Sequence, residues 1–133
     1  PQLQKIVADQ MEDPGARYSA AYALGRIGEA AAPALDMLRG LSESDDELMA
    51  TVAVWAALKI EPGNTEFFET AMPRLRKALQ AESDLARLEA AVALGEIGSH
   101  AKTAIPILEV IEEDDPVRAV RAAAAEALRK IGS

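Results

Sequence analysis

Apolar residues return along this chain in two alternating patterns. The first occupies ARYSAAYALGRIG (16–28), LMATVAVWAALKI (48–60), ARLEAAVALGEIG (86–98) and VRAAAAEALRKIG (120–132). Each copy closes on a leucine: Leu24, Leu58, Leu94 and Leu128, spaced by 34, 36 and 34 residues. Four positions before it stand Ala20, Val54, Ala90 and Ala124, and one before stand Ala23, Ala57, Ala93 and Ala127. Small residues at these intervals mark one close-packed face of a helix, here called helix A. The second pattern reads PQLQKIVAD (1–9), PALDMLRGL (33–41), PRLRKALQA (73–81) and PILEVIEED (106–114). Its apolar residues lie two and five after each proline: Leu3 and Ile6, Leu35 and Leu38, Leu75 and Ala78, Leu108 and Ile111. That is again helical spacing, and proline suits a first helical turn, where its missing N–H has no partner to lose. This is helix B.

The unit is therefore helix A, a short turn, helix B and a short loop, repeated at about 34 residues. The pattern predicts eight helices, over 2–11, 15–27, 30–41, 46–60, 65–80, 84–97, 102–113 and 116–131. Gly28 and Gly98 fall where a helix A should end and are expected as C-caps with positive φ. Asp13, Asp45 or Asp46, Asp84 and Asp115 precede each helix A and are expected as N-caps, with Pro116 opening the last helix. One connection breaks the rule. Glu61 to Phe68 adds residues, and Pro73 falls well inside a helix that starts near Asn64. A kink or a short extra turn is expected there, with Phe67 and Phe68 anchoring the insertion.

These boundaries make residues 1–133 a single all-α repeat array, an α-α superhelix of helix pairs. Residues 1–12 form a half repeat, 13–44, 45–83 and 84–114 full repeats, and 115–133 a second half repeat. Terminal repeats usually carry a polar outer face. Leu3, Ile6 and Val7 at one end, and the alanine-rich face of 117–131 at the other, lack one, so the array is expected to be a piece of a longer chain.

Composition narrows the chemistry. Half of the residues are hydrophobic, yet only five are aromatic: Tyr18, Tyr22, Trp55, Phe67 and Phe68. Twenty-eight are alanine, which the small slots of helix A absorb. With no cysteine, a disulfide framework, a zinc finger and thiol catalysis are all excluded. Fourteen Lys and Arg against 22 Asp and Glu give a net charge of −8, which disfavours nucleic acid and anionic membranes as partners. No apolar run approaches the roughly 18 residues of a membrane span. His100 is the single histidine and reads as an exposed turn residue rather than a base, since spacing suggests no partners for it. No catalytic residue, metal site or cofactor is expected.

Three other features invite a functional reading. Twelve acids precede a helix A, among them Glu12, Asp13, Glu43, Asp45, Asp46, Glu47, Glu82, Asp84 and Glu112 to Asp115. They suit helix N-termini locally, and none has the spacing of a calcium loop. Arg17, Arg87 and Arg121 recur seven before the leucine, with Thr51 breaking the series. Trp55 stands, by the leucine alignment, where other copies have Ala21, Ala91 and Ala125, and is read as packing beside the core stripe.

The ALGxIG motif, the aspartate cap, the arginine seven before the leucine and the proline opening helix B resemble the HEAT-like repeat family, in particular its phycobilisome-lyase-type subclass. The resemblance covers essentially the whole chain. It implies a structural ladder in which Arg17, Arg87 and Arg121 pair with Asp13, Asp84 and Asp115 of their own or the next repeat. It also implies that helix B lines the concave side. The third positions after proline are Gln4, Asp36, Arg76 and Glu109, and the fourth are Lys5, Met37, Lys77 and Val110. Of this row and its neighbour Arg74, the expected partner-binding residues are Asp36, Met37, Arg74, Arg76, Lys77 and Glu109.

A non-enzymatic scaffold for a protein or peptide partner, or for another domain of the parent chain, is the function this implies. The alternatives are a bilin lyase-related or chaperone role, and a non-catalytic appendage of a larger enzyme such as a bacterial sulfatase. The uncovered end helices also allow end-to-end self-association. Size-exclusion chromatography with light scattering tests that: dimers or longer species support stacking, and a strict monomer counts against it.

Overall fold

A computed structural model describes residues 2–9 and 11–132. Pro1, Gln10 and Ser133 lie outside the described residues, and with them the proline of the first helix-B pattern and part of the predicted helix 2–11. Among the described residues all regular structure is helical. The elements are α1 (Gln2–Ala8), α2 (Pro14–Ile27), α3 (Leu35–Leu41), α4 (Glu47–Ile60), α5 (Thr65–Ala78), α6 (Asp84–Ile97), α7 (Ile105–Asp114) and α8 (Arg118–Ile131). Two 3₁₀ segments, Gly28–Ala34 and Gly98–Ala104, lead into α3 and α7. No described helix is long and apolar enough to cross a membrane.

The chain divides into two compact units, Pro1–Gly63 and Asn64–Ser133. Each holds helix B, helix A, helix B, helix A in chain order. In the first unit α2 packs along α4, α1 against α2, and α3 against α4. In the second unit α6 packs along α8, α5 against α6, and α7 against α8. The cores are mainly aliphatic and alanine, with Leu38 and Val52 fully buried in the first, and Leu94 and Leu108 in the second.

All four A helices have 14 residues and end on isoleucine: Ile27, Ile60, Ile97 and Ile131. This common length corrects the leucine alignment. Ala57, not Leu58, is the counterpart of Leu24, Leu94 and Leu128. Trp55 is then the counterpart of Tyr22, Val92 and Glu126, and does not occupy an alanine slot. The seventh position is alanine in every copy, Ala20, Ala53, Ala90 and Ala124, and is buried each time.

Glycine explains the approach of neighbouring A helices. A Cβ on Gly25 would lie 3.1 Å from the Ala56 Cα and 2.5 Å from Cζ3 of Trp55. A Cβ on Gly95 would lie 3.1 Å from the Ala127 Cα. Gly25 and Gly95 share the twelfth position, and Ala56 and Ala127 the tenth. The same crossing is thus built twice, and only glycine opposite alanine admits it without a shift. Over Gly25 the Trp55 ring is seated against Tyr22, with ring centroids 5.4 Å apart and planes at 59°. That tilted geometry suits an aromatic pair. The second glycine of each motif does different work: Gly28 and Gly98 end their helices at φ of 74° and 71°, where a side chain is strained.

Several caps differ from expectation. Asp13 and Asp46 accept from their helices' first turns, as predicted. For α6 the cap is Ser83, whose hydroxyl accepts from the Ala86 N–H, so Asp84 is the first helical residue instead. The last helix starts at Arg118 with Val117 as its cap residue, so neither Asp115 nor Pro116 takes the predicted place. Glu112, Glu113 and Asp114 belong to the last turn of α7 rather than to a loop. Among the described residues only Pro106 opens a helix B in its first turn; Pro33 lies in the 3₁₀ segment before α3. Pro73 sits inside α5, which is one uninterrupted element, so no separate extra turn precedes it. Asn64 starts α5 by accepting from the Phe67 N–H at 3.0 Å, and Phe68 is buried.

Gly25→Ala should lower stability by about 1–3 kcal/mol through overpacking, despite alanine's better helix propensity. The same substitution in a Trp55→Ala background should cost clearly less. Denaturant unfolding of this double-mutant cycle checks it, and equal penalties in both backgrounds would contradict the seating of the ring.

Candidate functional site

Arginine at the fourth position of helix A is the polar feature that recurs in both units. Arg17 Nε donates to the Val7 carbonyl at 2.8 Å. Arg87 Nη1 donates to the carbonyls of Ala81 and Glu82 at 2.9 and 3.0 Å. Arg121 Nη1 donates to the Asp115 carbonyl at 2.7 Å. In each case the acceptor lies at the end of the preceding helix B or just after it. Carbonyls there lack intrahelical partners and carry the negative end of the helix dipole, so a guanidinium satisfies both needs. The geometry therefore differs from an arginine–aspartate ladder: Arg17 and Arg121 meet backbone oxygen, Asp13 caps α2, and Asp84 opens α6.

One pair does join side chains. Arg87 donates from Nε to Asp115 Oδ2 at 2.8 Å and from Nη2 to Oδ1 at 3.3 Å, linking α6 to the start of the next helix A. Asp115 is also held by the Val117 N–H at 2.9 Å, and its side chain is only 5% exposed. Burial alone would raise this carboxyl. The Arg87 hydrogen bonds, the Val117 N–H and the charges of Arg87 and Arg121 outweigh it and hold the group below the usual carboxylate range.

The first unit uses other residues at the equivalent places. By helix register the fourth position of α4 is Ala50, which is where the arginine series breaks. Thr51 follows it, buried, with its hydroxyl donating to the Glu47 carbonyl at 2.7 Å. Tyr18 of α2 donates its hydroxyl to Asp46 Oδ2 at 2.6 Å. Asp46 Oδ1 meanwhile accepts from the N–H groups of Leu48 and Met49. Burial, then the bond to Asp46 and its charge, push the Tyr18 phenol up to about 12. The Tyr18–Asp46 bond has no cue in local sequence, because its partners stand 28 residues apart.

The predicted partner-binding residues fall in both units. On α3, Asp36 is exposed and lies 3.8 Å from Arg39, while Met37 is half-buried. Arg39 also pairs with Glu61. On α5, Arg74 and Arg76 are half-buried and Lys77 is exposed. Arg76 Nη1 donates to Thr103 Oγ1 at 3.0 Å, so it is tied to the 3₁₀ segment before α7. Glu109 and Val110 are exposed on α7. His100 is exposed in the 3₁₀ segment Gly98–Ala104. Among the described residues no three His, Cys, Asp or Glu side chains gather as a metal site, and no buried side-chain polar atom lacks a partner.

Arg87→Ala leaves a buried carboxylate without its ion partner, and should destabilise the protein by about 3–5 kcal/mol. Arg17→Ala loses a hydrogen bond to a carbonyl and should cost about 1–2 kcal/mol. The sign with pH follows from the lowered carboxyl. Its contribution is present above the unfolded value of about 4 and is lost as pH falls through the folded one. Wild-type stability should drop over that acid window, and Asp115→Asn should flatten the drop. Thermal unfolding against pH measures both.

Comparison with known proteins agrees with this account of the motif. Residues 56–129 match the family model described as HEAT repeats, and residues 16–38 match the model described as PBS lyase HEAT-like repeat. No curated protein matches the chain. The HEAT match spans more than half of the sequence and takes in three A helices, in whole or part, and both complete B helices of the second unit. The chain, an all-α repeat solenoid, belongs to the HEAT repeat family.

Proposed function

We propose that this chain is a non-enzymatic scaffold that binds another protein, or another domain of its parent chain, through exposed positions of its B helices. The carrying observation is the division of labour among its side chains. The residues that define the motif are occupied in packing, capping and turn ties. Asp36, Lys77, Glu109 and Val110 are exposed on helix B, and mix both charges with an apolar side chain. Such a mixture suits a polypeptide better than a polyanion, which needs clustered cations in successive repeats. HEAT repeats generally mediate protein–protein contacts, which supports the same class of partner.

The PBS lyase HEAT-like match favours a second reading, a tetrapyrrole-related role. Its span, 16–38, includes Arg17, Leu24, Gly25 and Gly28, which tie a turn, fill the core, admit the neighbouring helix and end α2. The match is thereby accounted for by architecture, and the scaffold reading is preferred.

Peptides selected from a random display library against the folded protein test the proposal. Charge reversal by Lys77→Glu with Glu109→Lys, both exposed, should weaken the selected peptides by about tenfold or more, roughly 1.4 kcal/mol, with little change in melting temperature. Undiminished binding to the reversed variant would remove helix B as the binding row. Titration with a linear tetrapyrrole should leave its absorbance unchanged, whereas a saturable spectral shift would favour the second reading.

A further inference from the structure

Isoleucine ends every A helix, but one copy is open to solvent. Ile27 is 51% exposed, whereas Ile97, seventy residues on at the end of α6, is 6% exposed. Their neighbours correspond position by position. Leu24 matches Leu94, Gly28 matches Gly98, and Ala31 matches Ala101 in the 3₁₀ segment that follows. Two like surfaces therefore differ in what lies over them.

In the second unit the cover belongs to α5, which packs against both α6 and the 3₁₀ segment Gly98–Ala104. The first half of α5 precedes Pro73 and buries Phe68, Ala71 and Met72. Phe68 and Met72 stand four apart and share one helix face. In the first unit the helix-B pattern supplies Leu3, the counterpart of Leu75, but the described residues hold no counterpart of Thr65–Met72. A groove lies there instead. Its walls are Leu3 of α1, Leu24 and Ile27 of α2, and Ala30, Ala31 and Pro33 of the 3₁₀ segment. It offers about 330 Å³, within the roughly 300–1,000 Å³ of clefts that accept organic groups. The groove continues the interface where α1 packs on α2, since Leu3 and the buried Leu24 both line it.

We propose that this groove docks an amphipathic helix of a partner protein, which lays an aromatic ring and an unbranched apolar side chain, four residues apart, over Ile27. The second unit supplies the pattern of the occupant: the matching surface is covered by a helix that buries Phe68 and Met72. The ring gives large apolar contact at small entropic loss, and a methionine-like chain adapts to an uneven floor. The mode is a helix laid in a groove, anchored by side chains one turn apart. The proposal rests on the scaffold reading but uses the end of α2, not the exposed B-helix positions.

The probe is an acetylated peptide of residues 64–72, titrated into the folded protein and followed by amide chemical shifts. A link between side chains at 66 and 70, both exposed in α5, holds so short a peptide helical. Saturable shifts confined to residues 2–4 and 24–33 are expected, and none with a control peptide carrying Phe68→Glu and Met72→Glu. In the protein, Ile27→Glu should weaken the probe by about tenfold or more, with little change in melting temperature because Ile27 is exposed. Ala30→Glu, at an exposed position of the same groove, carries the same expectation. No saturable shift, or equal affinity for the Ile27→Glu variant, overturns the proposal. Shifts at 97–104 instead would mean that the peptide displaces α5, and overturn it too. Concentration-dependent shifts at 24–33 without peptide would give the groove to a second copy and overturn the partner. Failure here leaves the helix-B test intact, and undiminished peptide binding in that test leaves this groove standing.

Discussion

In each unit two A helices cross with a glycine facing an alanine. A Cβ added to Gly25 or Gly95 would come within 3.1 Å of the facing alanine Cα. Much else depends on that distance. Larger side chains near the crossing would hold the helices apart, so the seventh and tenth positions are small throughout. The isoleucine that ends every A helix is buried in three of four copies, with Ile27 the exposed exception. The chain's many alanines and few rings are thus a condition of its stacking. Where a ring does enter the seam, as Trp55 does, a glycine opposite it makes the space.

Polar groups follow the same internal logic. The recurring arginines face the carbonyls left over at the end of helix B, and the one buried carboxylate among them, Asp115, is bound to Arg87. Ser42 and Thr51, also buried, donate to the carbonyls of Arg39 and Glu47. The buried ion pair of Arg87 and Asp115 is therefore committed to the fold. What remains for recognition is a sparse and mixed set of exposed side chains, together with shallow apolar relief.

Much of this was legible in the sequence because repeats report their own geometry. The helix pairs, the positive-φ glycines and the buried alanine stripe follow from spacing alone. The alignment of the second copy did not. Leu58 imitates the motif leucine, and only the common 14-residue length of the A helices places Ala57 there. Two of the caps were missed because Ser83 stands beside Asp84, and because Asp115 is drawn to Arg87 rather than to its own helix. The twelfth-position glycine was visible twice in ALG, but its meaning lay in a partner helix some 30 residues away. As for the binding residues, spacing could put Arg76 on helix B but could not reveal its bond to Thr103.

The arginine ties to backbone carbonyls also have a direction. Each runs backward from a helix A to the helix B before it, across 10, 6 and 6 residues for Arg17, Arg87 and Arg121. Packing agrees, since α1 joins α2, α5 joins α6 and α7 joins α8. Contacts this local close with little loss of chain entropy, so such a pair can form early in folding, before its neighbours arrive. The hairpin that physics treats as a unit is then B followed by A, offset by half a period from the unit that the motif suggests to the eye. Lengthening or shortening the array one B–A hairpin at a time would carry each turn lock along intact, whereas a cut between B and A would sever it.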